Sequence, residues 1–243
     1  MKCPRLYLEQ VLEPATEVEL PAVPAGHLRV LRTRVGHPVV LFNGDGHDYP
    51  GELTALERRR ATVLLGQRQD NGTAPSLRLT LVQGVSKGDR METAMQKAVE
   101  LGVSGIMPVF TARSVVRLDG QRLQRKLEHW RGVIISACEQ CGRSEIPDLL
   151  PARNMDELLS VPPAGTGLVL DPTATVGVGG LSPPGSDGLS LLVGPEGGLS
   201  DAEVAAACEA GWKPMALGPR ILRTETAGIA AIAAFQTLWG DLQ

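Results

Sequence analysis

The chain has 243 residues, of which 43% are hydrophobic and 21% charged, ordinary values for a globular protein of one large or two smaller domains. Only 3% are aromatic, so the core must rest on Leu, Val, Ile and Ala, and a net charge of −3 argues against a general polyanion binder. No signal-peptide pattern opens the sequence, and its most apolar window, Ala227–Trp239, is too short to span a bilayer and contains Gln236, so a cytoplasmic protein without a membrane partner is expected.

The segment up to Gly72 reads as β-rich. Short runs of β-type residues occupy Arg5–Glu9, His37–Gly44, Asp48–Leu56 and Arg60–Gly66, and Asn43-Gly44-Asp45-Gly46 between two of them is a hairpin signal. A helical turn at Ala25–Leu31 interrupts the strands and brings Arg29, with Arg32 and Arg34 just beyond it. Gln69–Thr73 is a polar linker, which predicts a small barrel-like domain over residues 1–72 and a second domain over 73–243.

The second region alternates strand and helix. Leu77–Val85 reads as a strand, then a helix from Arg90 to Leu101 with Asp89 as its cap and Glu92 reaching back, ended by Gly102. Ser104–Phe110 is the next strand, and helical spacing from Gly120 to Cys141 predicts a long helix. Further strands are expected at Thr166–Asp171, Leu189–Val193 and Met215–Leu217. A capping box Ser200-x-x-Glu203 opens another helix, and an Ala-rich helix follows the loop Gly218–Thr226. This alternation implies a parallel α/β sheet.

Charge is unevenly placed: residues 113–131 carry six basic side chains against Asp119 and Glu128, whereas from 132 onward thirteen acidic residues face five basic ones. A local basic patch suits a specific RNA or phosphate contact, or simply a solvated helix face. Cys138 and Cys141 form a CxxC, but with no second CxxC and no ligand spacing among the four histidines, neither a zinc site nor any other metal site is expected. The pair lies within a helical pattern, where both thiols read most simply as core residues.

In open α/β sheets ligands sit beyond the carboxyl ends of the strands, which directs attention to three loops: Asp171-Pro172, Gly194–Leu199 and Leu217–Thr226. The second, Gly194-Pro195-Glu196-Gly197-Gly198, has the look of a phosphate turn, yet Glu196 would repel a phosphate. Its alternatives are a tight turn without ligand, or a wall that brings backbone groups close to a nucleoside.

GPEGGLSDAE followed by LGPRILRTETA resembles the paired signature of the RsmE family of ribosomal RNA small-subunit methyltransferases, of the SPOUT (trefoil-knotted) class. The likeness extends to Lys87–Phe110, to Ser136–Arg143, and to RLYL and HLRVLR near the start. It implies an α/β fold whose C-terminal SPOUT domain has a parallel sheet and a deep knot at about 168–226, preceded by a PUA-like β-barrel that helps hold RNA. It further implies bound S-adenosylmethionine, a homodimer, and methylation of N3 of a uridine in small-subunit (16S) ribosomal RNA. Weak overall basicity points to RNA within an assembled subunit as the substrate. Residues that match the family's adenosine-holding loops are Leu170, Asp171, Pro172, Gly194, Pro195, Glu196, Gly197, Leu217, Gly218, Ile221, Leu222 and Thr224.

Uridine N3 must lose a proton before it can attack, so a proton acceptor or cations that stabilise the uridine anion are needed. Glu139 and Glu225 are candidates for the first role; Arg143, Arg220 and Arg223 are candidates for the second. The alternatives are a mutual Arg223–Glu225 pair and a solvated Glu139. Arg5, Arg29, Arg32, Arg34, Lys87, Arg90, Arg113 and Arg117 are candidate phosphate contacts, although nine basic and nine acidic residues up to Gly72 limit any footprint there to a patch. Competing readings are a non-catalytic RNA-binding assembly factor, and a SPOUT enzyme acting on another RNA.

Overall fold

The computed structural model describes residues 3–116 and 118–242; Arg117, a candidate phosphate contact, lies outside them. The chain forms two compact units, one of the residues up to Ala74 with Ile135–Ile146, the other of Pro75–Ile134 with the residues from Pro147 onward.

The first unit contains β1 (Arg5–Tyr7), β2 (Glu17–Leu20), α1 (Ala22–Val30), β3 (Pro38–Phe42), β4 (His47–Leu56), β5 (Ala61–Leu65) and β6 (Gln69–Asp70). The strands form one curled, PUA-like sheet in the order β1-β3-β4-β5-β2, with β6 beside β4. Only the β1–β3 pairing is parallel. The hairpin signal joins β3 to β4, where the side-chain oxygen of Asn43 accepts the Asp45 N–H at 3.2 Å. β2 is not apparent in the sequence: its four residues alternate outward and inward, a pattern too short to stand out. The first two residues of the expected linker pair with His47 and Asp48 as β6. Leu6, Leu20, Leu28, Leu41, Leu53 and Val63 fill the core.

One polar node ties this unit together across long sequence separations. The Asp48 carboxylate accepts from both terminal nitrogens of Arg5, from Asn71 Nδ2 at 3.0 Å and from the Ser144 hydroxyl. Asn71 also donates to the Gly142 carbonyl at 2.9 Å, and the Arg5 guanidinium lies 5.1 Å from the Phe42 ring centre. Only 12% of the Arg5 side chain is exposed. Arg5, expected at an RNA phosphate, is instead engaged by Asp48, because a charge this far from water is costly unless paired.

The second unit contains β7 (Leu79–Gly84), α2 (Asp89–Glu100), β8 (Gly105–Phe110), the larger part of α3 (Gly120–Cys141), β9 (Asp148–Leu149), β10 (Arg153–Asn154), α4 (Met155–Leu159), β11 (Thr166–Leu170), β12 (Leu189–Val193), α5 (Asp201–Glu209), β13 (Lys213–Met215) and α6 (Thr224–Trp239). All seven strands are parallel, in the order β10-β8-β7-β12-β11-β13 with β9 beside β8. Val82, Val109, Val169, Leu192, Ala207 and Trp212 pack in one cluster with Met155 and Leu158 of α4. α2 and α6 pack on each other, and α6 also rests on β7 and β12.

Four local expectations change. Asp89 is the first residue of α2 rather than its cap; Gly88, at φ +67°, turns the chain into the helix, and the Glu92 carboxylate meets Lys126 at 3.0 Å and His129 at 2.8 Å. Bonds from Lys126, above all, and from His129 hold the Glu92 carboxyl below its ordinary range, against the opposing pull of burial. β13 lies two residues earlier than expected, because its pairing with β11 runs only to Met215–Leu170, which frees Leu217 for the loop. α6 begins at Thr224, so Glu225 falls in the first helical turn. α4, absent from the sequence reading, is opened by a capping box of Asn154 and Glu157, as α5 is by the expected pair Ser200 and Glu203.

Candidate active site

A cavity of about 800 Å³ lies at the carboxyl ends of β11, β12 and β13, where the parallel sheet leaves its loops. All the residues lining it belong to the second unit. The twelve residues matched to adenosine-holding loops, Leu170–Pro172, Gly194–Gly197, Leu217, Gly218, Ile221, Leu222 and Thr224, line it, and so do Arg220, Arg223 and Glu225. Arg90 and Arg113, expected at RNA phosphates, also line it. Glu139 and Arg143 belong to the first unit. There Glu139 accepts the Tyr7 N–H at 3.0 Å, and Arg143 is 5% exposed with its carbonyl accepting from Arg5.

The glycines after β12 serve the loop's own closure. A Cβ on Gly194 would lie 2.8 Å from the backbone of Gly198 and Leu199, and Gly198 has φ +69°. A phosphate nest is not needed to explain them. Arg113 ties the loop down, donating to the Gly197 carbonyl at 3.0 Å and the Leu199 carbonyl at 3.1 Å. Glu196 braces it: its carboxylate accepts the Lys87 N–H at 3.3 Å. Burial pushes the Glu196 carboxyl up, but its own N–H, the Lys87 N–H, the Ser86 hydroxyl and the Arg90 charge together leave it below the ordinary range.

The sequence reading missed Gln83, which is 1% exposed near the end of β7. Its amide donates to the Thr224 hydroxyl at 3.0 Å, and that hydroxyl donates to the Gly194 carbonyl at 2.6 Å. A buried strand, the glycine turn and the start of α6 are thereby joined by two hydrogen bonds. A glutamine inside an apolar run was the available signal, since a buried amide requires partners.

Glu225 has a side chain 19% exposed, and among the described residues its Oε2 has no hydrogen-bond partner. The Arg90 guanidinium stands 4.0 Å away; among the described residues no ion pair joins Arg223 to Glu225. Arg223 precedes α6 as its N-cap residue without a side-chain capping bond. The cavity lining thus includes a largely buried carboxylate with Arg90 near it, and Arg220 and Arg223 among the other residues, groups of the kinds that a proton transfer and a developing anion require.

The RNA methyltransferase domain profile matches residues 73–236, and the RNA methyltransferase PUA domain profile matches residues 25–65. The chain is 32% identical over 246 residues to the ribosomal RNA small subunit methyltransferase E of Buchnera aphidicola, covering 99% of this chain and 98% of that one. The chain belongs to the ribosomal RNA small subunit methyltransferase E family. With the Bacillus subtilis member it shares 31% identity over 254 residues, 98% of this chain and 99% of that one. The crystal structure of the Neisseria gonorrhoeae member, bound to S-adenosyl methionine, is 40% identical and superposes with a TM-score of 0.93 over 99% of this chain and 100% of that one. A Legionella pneumophila protein described as a methyltransferase, in complex with the same cofactor, is 34% identical with a TM-score of 0.94 over the whole of both chains. Within this methyltransferase E member, no group of three or more His, Cys, Asp or Glu among the described residues could hold a metal ion, and no described helix is long and apolar enough to cross a membrane.

Proposed function

We propose that the protein transfers the methyl group of S-adenosylmethionine to N3 of a uridine in small-subunit (16S) ribosomal RNA, in the cytoplasm, as a homodimer acting on assembled subunits. The observation that carries this reading is the cavity, in which the glycine turn and the Leu217–Glu225 loop face one another in a chain of this family. The residues present suit an adenosine: Leu170, Leu217 and Leu222 offer apolar faces, and about 800 Å³ is ample for a nucleoside-sized ligand. The open backbone at Gly218, where a Cβ would meet nothing within 4 Å, adds peptide groups able to bond a purine edge.

When bound, the cofactor supplies a methyl group already activated by its sulfonium. The chain's own task is then to orient the uridine and remove the N3 proton. N3 lies on the Watson–Crick edge, so the base must be unpaired or flipped out to reach the cavity. We assign the proton to the Glu225 carboxylate, and the negative charge that develops on O2 and O4 to Arg220 and Arg223.

Mass-spectrometric mapping of ribosomal RNA tests reaction and site together. Cells lacking the gene should lose a single N3-methyluridine in the small-subunit RNA, which wild type restores and Arg223→Ala does not. An unchanged set of modified uridines would refute the assignment, as would full restoration by Arg223→Ala.

The CxxC stands outside this chemistry. Cys138 is fully buried, and burial pushes its thiol up to about 12, which leaves it neutral and unreactive. Replacing Cys138 and Cys141 together by alanine is expected to lower the melting temperature by a few degrees, since truncating a core side chain costs about 1 kcal/mol, and to leave the methylation rate within about twofold. Complete loss of activity in a folded double variant would instead assign the pair a redox or nucleophilic role.

A further inference from the structure

Gln83, near the end of β7, is 1% exposed and does not line the cavity, so it can act on a ligand there only through its neighbours. Its Nε2 meets three acceptors: the Thr224 hydroxyl at 3.0 Å, the Gly84 carbonyl at 3.2 Å and the Gly194 carbonyl at 3.5 Å. The two carbonyls can only accept, so the nitrogen of the amide, and not its oxygen, must face them. A hydroxyl carries a single hydrogen. With Gln83 donating to it, the Thr224 hydroxyl keeps that hydrogen for the Gly194 carbonyl, at 2.6 Å.

The oxygen of the same amide gains nothing from this arrangement. Among the described residues Gln83 Oε1 has no hydrogen-bond partner. A Cβ on Gly228 of α6 would lie 3.7 Å from it, and 3.6 Å from side-chain carbons of Leu81 and Val193. A buried acceptor left unmatched among apolar groups is destabilising, and an apolar side chain of the same length would avoid that penalty. Stability alone therefore does not account for a glutamine at this position. What its amide does is join the carboxyl end of β7 to two walls of the cavity. Gly194 opens the glycine turn, and Thr224 is the first residue of α6, next to Glu225.

We propose that Gln83 is a positioning residue of the methyl transfer, whose amide holds the Thr224 hydroxyl on the Gly194 carbonyl and thereby registers the Glu225 carboxylate against the glycine turn. The inference rests on the methylation and the Glu225 role proposed above. Any rotation of the first turn of α6 carries Glu225 with it, and a proton acceptor must come within hydrogen-bond reach of the proton it removes. A misplacement of about 1 Å costs about a hundredfold in rate. Thr224 alone does not secure this register, because a threonine hydroxyl that is not held from one side turns among the local backbone acceptors.

Methylation of assembled small subunits, in single turnover and in steady state, is measured beside thermal melts. The proteins are wild type, Gln83→Met, Thr224→Val, Thr224→Ser and the double variant Gln83→Met/Thr224→Val. Gln83→Met keeps the length of the side chain and removes the unmatched oxygen, so it should melt within a few degrees of wild type. Its single-turnover rate should nevertheless fall by about ten- to a hundredfold, with KM for the subunit within about twofold of wild type. Thr224→Val should lose a similar factor, and Thr224→Ser, which keeps the hydroxyl, should retain most of the rate. The double variant should be no slower than the slower single one, because both substitutions break the same link. A wild-type rate in folded Gln83→Met would reduce the glutamine to a filler of space and overturn the proposal while the methylation reading stood. Fully multiplicative losses in the double variant would also overturn it, since the two residues would then act independently. Should Gln83→Met fail to fold, the Thr224 variants decide: a wild-type rate in Thr224→Val overturns the link, and a loss there that serine avoids sustains it. Absence of methylation by the wild type would overturn the functional reading and this role with it.

Discussion

Alanine at Gly84 should cost the protein most of its affinity for S-adenosylmethionine, although Gly84 does not line the cavity. A Cβ on Gly84 would lie 2.5 Å from the Pro195 nitrogen, 2.6 Å from its Cδ and 2.8 Å from the Gly194 carbonyl carbon. Two of those three atoms are backbone, so no side chain can swing aside to make room. β7 is an inner strand, paired with β8 and β12, and its backbone is the less able to move. The glycine turn must therefore shift, and with it the Gly194 carbonyl that accepts the Thr224 hydroxyl. Overpacking of this sort costs about 1–3 kcal/mol. If most of that falls on the loop, affinity drops roughly a hundredfold, equivalent to about 2.7 kcal/mol. Calorimetric titration of wild type and Gly84→Ala, each with a thermal melt, measures how the cost divides. Unchanged affinity and unchanged melting would show that the turn does not depend on this close approach.

Glu225→Gln should leave cofactor binding nearly intact and lower kcat by about 10²–10⁴, the usual worth of a positioned general base. The amide keeps the volume and polarity of the carboxylate but cannot accept a proton at neutral pH. Glu225 suits the role because its side chain is only 19% exposed and, among the described residues, its Oε2 has no hydrogen-bond partner, only the distant Arg90 charge. Arg90, 4.0 Å away with a side chain 45% exposed, is too solvated to neutralise it. Glu225→Asp keeps the acid but withdraws it by one methylene, so an intermediate rate is expected. Single-turnover assays at saturating cofactor separate chemistry from binding. A rate within about threefold of wild type for Glu225→Gln would exclude Glu225 as the proton acceptor and leave the charge of Arg220 and Arg223 as the main catalytic element.

Stability around the glycine turn has a pH dependence whose sign is set by Glu196. Its folded carboxyl titrates below the unfolded value, so its contribution is present above the unfolded range and lost as pH falls through the folded one. Acid should therefore loosen the contact between Glu196 and the Lys87 N–H without affecting the loop near neutrality.

Much of the architecture is written in local pattern. The apolar runs of β7, β8, β11 and β12 and the long periodic stretch of α3 were legible because both faces of a parallel strand and one face of a helix must be apolar. The Ser200–Glu203 capping box was legible because it satisfies N–H groups within one turn of chain. The loops that line the cavity could be named in advance, since strand order aside, ligands gather at the carboxyl ends of parallel strands.

What the tertiary structure alone decided involves partners distant in sequence. Ile135–Ile146 joins the first unit although it follows most of α3, because Ser144 and the Gly142 carbonyl complete the polar node built on Asp48. The same node engages Arg5, whose charge in the sequence looks no different from that of Arg29 or Arg32. Arg113 proved to hold the carbonyls of the glycine turn, and Gln83 to bond the start of α6, across 84 and 141 residues respectively. Sequence determined which residues are apolar, which turns close locally and which loops leave the sheet. Only the folded chain determined which polar side chains are satisfied from within and which still face a ligand, because the cost of burying a charge or an amide depends on neighbours that folding alone brings near.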